Sequence, residues 1–482
     1  MDTVTGSSAA AAGGPPVVGS RSARGLTLLS AFVVVAFAAL VGGLVSSSSR
    51  LDSQSFPEAS LALVTGRTMD VRIVVERLPR WERGLMQLLM DDRARELAQA
   101  IGWYEELAER VSDPSVELQL AVLEGEAGRL PRLREKLEGW EVRPEPYPAM
   151  AVAIASAYLG TADFPTEALG SLPADGHPWF GEQLALRLAL RRGDTENATE
   201  LLAARADRTR PLVARLRALA AIELGALGGG LAAVLIVLVR RRSLRLASAP
   251  LPPPWSGALG AEVLVRGAAL QIGLLAVLYA VSQLADSEVL DALTWPWSNL
   301  FFLPMLLLAR RRLVVPAGLR LRDALGLSLD PGVGGRLALT VLLLVGLGLA
   351  GDWVSGILAA RAGRTSHWTE WFDEDLVWGG GGDAALAVVS AVIAAPFFEE
   401  IVFRGLLFAT FRRRFGTLAA ALASSAIFAV AHGYGVVGLF SVLWSGVLWA
   451  WAYERTRSLW PGMLAHALVN LLASLSLLLL LR

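Results

Sequence analysis

Cysteine is absent from the 482-residue sequence, which excludes disulfide bonds and metal sites built from thiolates. Histidine is scarce, so any imidazole chemistry must draw on four residues: His177, His367, His432 and His466. His177 and His367 lie outside the long apolar runs, and we expect both to be ordinary loop or surface residues. Net charge is absent too, because 44 basic residues balance 44 acidic ones. No feature of the composition predicts a nucleic-acid partner.

Charged residues make up only 18% of the chain, whereas hydrophobic residues make up 54% and the mean hydropathy is +0.50. Soluble proteins are more polar than this, so the composition predicts several membrane spans and a lipid bilayer as the surroundings. With its many glycines and arginines, the chain fits an integral protein of a bacterial inner (plasma) membrane.

The beginning of the chain combines a polar segment with an apolar one. Residues 1–20 are rich in Ala, Gly, Ser, Thr and Pro, which predicts disorder. Gly25–Val45 is apolar and long enough to cross the ~30 Å hydrocarbon core, so residues 21–50 are predicted to be a signal anchor and first span. The small residues at Ala36–Ala38 leave a cleaved signal peptide as the alternative. In either case the following segment is exported.

Residues 51–215 are rich in Glu, Arg, Leu and Ala with helical periodicity, which predicts a soluble α-helical domain outside the membrane. Gly128, Gly160 and Gly193 each follow a Leu/Ala-rich stretch, at intervals of 32 and 33 residues. This spacing is similar to that of tetratricopeptide-type helix pairs, whose period is about 34 residues. We predict a repeat-like domain that docks a protein partner or the substrate; a generic helical bundle is the alternative.

The remainder of the chain is predicted to be mostly membrane-embedded, with transmembrane helices in 216–319 and a further membrane domain in 320–482. The fold class predicted for the whole chain is therefore all-α, a polytopic membrane helix bundle of about nine spans carrying the exported domain. The candidate spans are 25–45, 218–239, 263–284, 292–309, 337–360, 384–411, 416–437, 438–453 and 459–481.

Clusters of arginine predict the orientation of these spans. They fall on alternate loops, on the same side as the basic residues before the first span, and the other loops are acidic or neutral. The positive-inside rule places that side in the cytoplasm, so the N-terminus is predicted to be cytoplasmic and the helical domain external. The clusters are Arg240–Arg242, Arg310–Arg312, Arg412–Arg414, and Arg455 with Arg457.

Three ionisable residues interrupt the apolar run Pro396–Phe408, where each costs several kcal/mol and is a functional candidate. On a helix, Glu400 and Arg404 are four residues apart and share a face, so they can pair. Glu399 lies about 100° further round and is left free near apolar side chains. A carboxylate in such surroundings is suited to act as a general base near neutral pH. A buried ion network that only fixes helix packing is the alternative.

Two further apolar helices carry polar residues at helical spacing. His432 follows Phe428 by four residues, and Asn470 follows His466 by four, so each pair shares a helix face. At ~1.5 Å per residue from the nearest arginine cluster, Glu399 lies about 20 Å deep. The same measure gives about 27 Å for His432, 14 Å for His466 and 20 Å for Asn470. The sequence therefore predicts one central layer of polar groups around a water-filled cavity.

A glutamate, two histidines and an asparagine can activate water for attack on a carbonyl in two ways. In one, Glu399, His432 and His466 hold Zn²⁺, which acidifies the water. In the other, Glu399 deprotonates the water with help from His432, while His466 and Asn470 stabilise the oxyanion. Spacing does not separate the two versions, although the zinc-protease motif H-E-x-x-H is absent.

The ordered motifs E-E-x-x-x-R, F-x-x-x-H and H-x-x-x-N resemble those of the CPBP family of intramembrane proteases. This family comprises the type II CAAX prenyl proteases and the bacteriocin-processing, or abortive-infection, proteins. The resemblance covers about residues 320–482 and includes the lead-in Leu321–Asp330. It implies that Glu399 activates water and that Glu400 pairs with Arg404. The exported domain is not part of the family core.

The resemblance also implies that His432 supports the water or a metal, and that His466 with Asn470 forms the rest of the polar wall or oxyanion site. The implied activity is cleavage of a membrane-bound peptide or protein, by metalloprotease or glutamate-type chemistry; zinc is the only cofactor in question. The alternatives are a non-catalytic scaffold or immunity protein on the same fold, and a transporter with a proton relay. No internal repeat of the kind typical of transporters is visible.

Overall fold

The computed structural model describes the chain in six stretches, and every regular element in them is helical, which confirms the all-α class. The predicted disorder of residues 1–20 lies outside the described residues. The described stretches are residues 21–47, 49–90, 92–173, 176–240, 243–285 and 298–482.

An apolar helix, α1 (Arg21–Ser47), precedes a domain of shorter helices. Gly128, Gly160 and Gly193 follow helices of this domain in the left-handed conformation, with φ of 69°, 69° and 71°. This conformation is cheapest for glycine, so the three glycines end helices where the sequence predicts. The helices are α2 (Pro57–Arg77), α3 (Arg80–Leu89), α4 (Arg93–Ala108), α5 (Pro114–Glu126), α6 (Leu130–Trp140), α7 (Tyr147–Ile154, continued to Leu159), α8 (Trp179–Arg192) and the first part of α9 (Thr195–Arg240). The tetratricopeptide-like assignment stays a prediction.

The second half of the chain is a bundle of longer apolar helices. Helix α12 packs against the second half of α9 and against α15 and α16, and α1 packs against α10. The helices of the bundle are α10 (Gly257–Ala285), α11 (Leu303–Ala309, continued to Val314), α12 (Gly334–Arg361), α13 (Gly381–Phe411), α14 (Thr417–Ala431), α15 (Val436–Thr456) and α16 (Trp460–Leu481). Short turns occur at Arg50–Ser53, Thr166–Ser171, Ser298–Phe302, Leu321–Ala324, Trp368–Glu370 and Glu374–Val377.

Seven of the described helices are long and apolar enough to cross a membrane, against about nine predicted. The predicted span 416–437 is wrong: α14 has only 15 residues and covers about 22 Å. It ends because Gly433 turns the chain with φ of 68° and Gly435 starts α15. The predicted span 292–309 lies partly outside the described residues, and its described part is the short helix α11.

Helix α13 is wider than an ordinary α-helix in two stretches, Ser390–Ala394 and Glu400–Phe408. Pro396 lies between them and has no N–H to donate, and its ring crowds the carbonyl of the preceding turn. Single wide turns of this kind are frequent at functional sites because they redirect the side chains around them. In this chain they flank Glu399.

Two of the arginine clusters predicted to face the cytoplasm, Arg412–Arg414 and Arg455 with Arg457, meet at one end of the bundle. Arg412 pairs with Glu454 at 2.9 Å, and Arg457 donates to the carbonyl of Leu251. At the opposite end, Arg482 donates to the carbonyls of the α12–α13 connection. This alternation agrees with the predicted topology, whereas the side that faces the cytoplasm stays a prediction.

The connection between α12 and α13 joins the two halves of the chain. We call residues 364–378 the rim loop. Trp368, Phe372 and Val377 of this loop, together with Leu481 of α16, belong to the same buried cluster as the core of the helical domain. The rim loop is therefore held between the helical domain and the membrane bundle.

Candidate active site

A cavity of about 780 Å³ opens between the rim loop and helices α12 to α16. The polar residues predicted from three separate helices converge on it. Glu399 of α13, His432 at the end of α14, and His466 with Asn470 of α16 all line the cavity. The structure thus brings together the four residues that the sequence placed in one central layer.

Glu400 and Arg404 lie behind this wall and form a buried pair. Arg404 Nη1 donates to Glu400 Oε1 at 3.0 Å, and each side chain is only 1% exposed. The guanidinium also stacks on the rings of Phe428 and Trp449, with centroid distances of 4.2 and 5.0 Å. A charge-assisted hydrogen bond and two aromatic faces hold Arg404 in place and keep Glu400 paired.

Glu399 has different surroundings from its neighbour. Its side chain is 18% exposed, faces the cavity, and approaches His466 Nε2 with Oε2 at 3.9 Å. Oε2 accepts no hydrogen bond from any described group. A carboxylate that lines a cavity and has no fixed donor on one oxygen keeps the capacity to accept a proton from water.

His466 sits between the two carboxylates. Its Nδ1 lies 3.4 Å from Glu400 Oε1, while its Nε2 points towards Glu399. The ring stacks on Trp449 with a centroid distance of 4.2 Å and an angle of 20°. Trp449 and the two carboxylates thus fix the position of the ring, while Nδ1 has no hydrogen-bond partner among the described groups.

His432 caps the end of α14, and its tautomer follows from its partner. Nδ1 lies 2.8 Å from the carbonyl oxygen of Phe428, which can only accept a hydrogen bond. Nδ1 must therefore carry the proton, and in the neutral ring Nε2 keeps its lone pair. A histidine fixed in this way is suited to accept a hydrogen bond from water or to bind a metal.

Asn470 is tied to the first wide stretch of α13. Its amide Nδ2 donates to the carbonyl of Ala391 at 2.8 Å. This bond identifies which end of the amide is the donor and leaves a second N–H for another acceptor. The predicted role of Asn470 as an oxyanion donor agrees with this orientation and stays a prediction.

Within the described ranges, no group of three or more histidine, aspartate or glutamate side chains is arranged to hold a metal ion. The zinc ligands predicted from the sequence, Glu399, His432 and His466, line one cavity but are not clustered as a ligand set. Zinc therefore remains a prediction.

Sequence reasoning missed several residues around the cavity. Trp449 supports both Arg404 and His466, yet it looks like an ordinary aromatic residue of an apolar helix. Asp352 of α12 lines the cavity and accepts a hydrogen bond from Ser441 Oγ. The sequence could have identified Asp352, since an aspartate inside a predicted span is a functional candidate.

Comparison with known proteins bears on the same region. Residues 381–472 match the family described as "Type II CAAX prenyl endopeptidase Rce1-like". The chain is also 29% identical over 199 residues to a Bacillus subtilis (strain 168) protein named "Putative membrane peptidase YdiL". That alignment covers 40% of this chain and 75% of the relative. No solved structure matches the chain significantly.

Proposed function

Since residues 381–472 belong to the CPBP family of intramembrane proteases, we propose that the cavity is the active site of an endopeptidase that uses Glu399 as its base. Its substrate would be a peptide or protein associated with the bilayer. The observation that carries the proposal is the contrast between two adjacent carboxylates. Glu400 is paired with Arg404, whereas Glu399 lines the cavity and its buried Oε2 accepts no hydrogen bond from a described group.

The proposed reaction follows from these positions. Glu399 takes a proton from a water molecule whose other O–H donates a hydrogen bond to His432 Nε2, and the resulting hydroxide attacks the peptide carbonyl carbon. His466 and the free N–H of Asn470 donate to the oxyanion that forms. When the carbon–nitrogen bond breaks, Glu399 returns its proton to the leaving amine. The acid and the base are then the same residue at successive steps.

A zinc version of the reaction uses the same wall. In this version Glu399, His432 and His466 would hold the ion, which would supply acidification of the water, although the three side chains are not arranged as a ligand set in the described structure. His432 suits this role because its Nε2 lone pair is fixed by the bond from Nδ1 to Phe428. The experiment below separates the two versions.

The test is cleavage by the purified full chain in detergent, with fluorogenic transmembrane and prenylated peptides as probes. We expect Glu399→Gln and His432→Ala each to lower kcat/KM by at least about 100-fold, the usual scale for loss of a general base. Glu223→Gln is the matched control, because Glu223 is a glutamate of α9 that does not line the cavity. A zinc chelator should abolish cleavage only if the zinc version is correct.

Two outcomes would contradict the proposal. One is cleavage that survives Glu399→Gln while the protein remains folded by circular dichroism. The other is tight peptide binding without cleavage in wild type and variants alike. That second result would favour a non-catalytic scaffold, whose polar residues serve packing alone.

A further inference from the structure

The cavity has a strong excess of one charge. Within the described part of the chain, its lining contains no lysine or arginine. Carboxylates line it from the membrane interior to the rim: Glu399, Asp352, Glu370, Asp373 and Asp375. In a cleft with low-dielectric walls, charges of one sign reinforce each other and attract the opposite charge.

Nearby cations do not cancel this excess. Arg50 pairs with Glu370 Oε1 from outside the cavity and so compensates one of the five carboxylates. Arg482 is engaged elsewhere, because it donates to the carbonyls of Leu376 and Gly379. Within the described residues, Asp352, Asp373 and Asp375 therefore make no ion pair with a basic side chain.

The hydrogen-bond partners of Asp352 and Asp373 are neutral, and the neighbours of Asp375 are themselves acidic. Asp352 accepts from the hydroxyl of Ser441, and Asp373 Oδ1 accepts from the backbone N–H of Leu376 at 3.0 Å. Burial raises the pKa of Asp375, and the carboxylates of Asp373, Asp383 and Glu374 raise it further. Like charges are thus held together at the rim, which costs free energy unless a cation arrives.

Glu370 adds an independent observation. Its side chain is only 9% exposed, and Oε2 is buried without a hydrogen-bond partner among the described groups. The cavity-lining carboxylate therefore keeps an acceptor that Arg50 does not use. A buried acceptor without a donor is costly, which points to a donor that comes with a ligand.

We propose that the cavity selects substrates that carry lysine or arginine beside their membrane segment, on the rim-loop side of the cleaved bond. This inference rests on the proposed protease function and names its substrate class. The basic side chains would contact Asp352, Asp373 and Asp375 while the backbone reaches Glu399. Ammonium and guanidinium groups make their strongest hydrogen bonds to carboxylates.

The test uses three fluorogenic peptides with one transmembrane sequence and Lys, Gln or Glu residues at its outer end. With wild-type protein in detergent, we expect kcat/KM for the Lys peptide to exceed that for the Glu peptide by about tenfold or more, mainly through KM. The preference should shrink at high salt, because ions screen exposed charges.

Asp352→Asn combined with Asp375→Asn should lower the Lys-over-Glu ratio several-fold. Asparagine keeps an oxygen that can accept from Ser441, so the change removes charge with little change in shape. Asp330→Asn is the control, because Asp330 precedes α12 at the opposite end of the bundle and does not line the cavity. It should leave the ratio unchanged.

Equal cleavage of the three peptides, or the same ratio in the double variant, would overturn the inference while leaving the protease intact. If no peptide is cleaved, the proposed function lacks support. Fluorescence anisotropy of the same labelled peptides then tests the charge preference through binding alone. Tighter binding of the Lys peptide, weakened in the double variant, would support the inference; equal binding would refute it.

Discussion

Glu399 and Glu400 are consecutive residues of α13, yet they meet different surroundings. Arg404 and His466 contact Glu400 in a buried environment, whereas Glu399 lies at the cavity wall. The widened geometry of α13 beyond Glu399 contributes to this separation, because it changes the angle between successive side chains. Neighbouring groups thus pair Glu400 with a buried arginine and leave Glu399 at the cavity wall, as the proposed division of roles requires.

Glu400→Gln should destabilise the protein. The change leaves Arg404 as a buried charge without its partner, which typically costs about 3–5 kcal/mol. Thermal denaturation in detergent, followed by circular dichroism, should show a Tm several degrees lower. Adding Arg404→Met should recover part of the loss, because the unpaired charge is then gone.

Glu399→Gln is the matched control for this measurement, since it makes the same chemical change one residue earlier. We expect its Tm to stay close to that of wild type, because Glu399 makes no hydrogen bond that the structure describes at Oε2. Equal destabilisation by the two variants would contradict the division of roles between them.

At the residue scale, the sequence predicted pairs within one helix better than contacts between helices. The spacing of Glu400 and Arg404 was enough to predict their ion pair. The bond from Asn470 to Ala391 joins residues 79 positions apart, and no spacing rule predicts it. The stacking of Trp449 on His466 was missed for the same reason, because it depends on how α15 and α16 pack.

Among the elements, hydropathy predicted the number of apolar runs better than the number of spans. The run 416–437 is apolar throughout, but helix α14 has only 15 residues and ends at Ala431, just before the turn at Gly433. Hydropathy averages over a window and does not detect a turn that breaks the helix. This turn is also what places His432 at the cavity instead of at a membrane surface.

Helices α9 and α12 cross where two glycines meet. A Cβ atom on Gly346 would lie 2.4 Å from the Cα of Gly230, so no side chain fits without moving a helix backbone. Close approach at small residues is how membrane helices gain packing energy. We therefore expect Gly346→Ala to destabilise the bundle by about 2 kcal/mol, within the usual range for overpacking. Thermal denaturation in detergent measures this directly.

Gly348→Ala provides the control within the same helix. A Cβ at Gly348 would have no atom within 4 Å, and alanine favours helix more than glycine does. Its Tm should equal or exceed that of wild type. The helix crossing would not be the critical contact if the two variants lost stability equally.

For the whole molecule, the helical domain and the protease bundle are interlocked at the rim loop. Gln99 Nε2 donates to the carbonyl of Ser366 at 3.0 Å, and Trp378 Nε1 donates to Ser60 Oγ at 2.9 Å. Glu374 accepts from the backbone N–H of Ser55 at 2.7 Å. The change in composition near residue 216 predicted two regions. It could not predict this interlock, because the contacts join residues hundreds of positions apart.

The interlock has a consequence for function. The rim loop carries Glu370, Asp373 and Asp375, which line the cavity, and its apolar residues are buried in the core of the helical domain. Loss of order in that domain would therefore loosen the wall of the cavity. The stability of the helical domain and the shape of the cavity wall are therefore linked through one loop.

Acidification should weaken this domain through His177. The sequence predicted an ordinary loop or surface residue, but the ring is 8% exposed, and burial lowers its pKa from 6.5 to about 4. Nδ1 accepts a hydrogen bond from the backbone N–H of Trp179 at 3.3 Å, which requires a neutral imidazole with its proton on Nε2. The charged groups that face the ring are Asp70, Arg67, Arg208 and Glu182.

The sign of the effect follows from proton linkage. Between pH 6.5 and about 4 the unfolded chain binds a proton at His177 that the folded domain does not, so stability falls as pH falls through this window. At pH 5 the loss is about 2 kcal/mol. Hydrogen exchange of the full chain, corrected for the intrinsic pH dependence, should show less protection of α2 and α8 at pH 5 than at pH 7.

The membrane helix α14 supplies an internal reference for this measurement, because its main packing partners are α13 and α15 and not the helices around His177. His177→Gln should remove most of the difference between the two pH values, since an amide still accepts from Trp179 and does not titrate. The space around the side chain of residue 177 is narrow, because a Cβ on Gly66 would lie 2.3 Å from the imidazole Nδ1. Glutamine suits this space because it is close to histidine in size. An unchanged pH dependence in this variant would assign the effect to other groups and leave the link between pH and the rim loop without support.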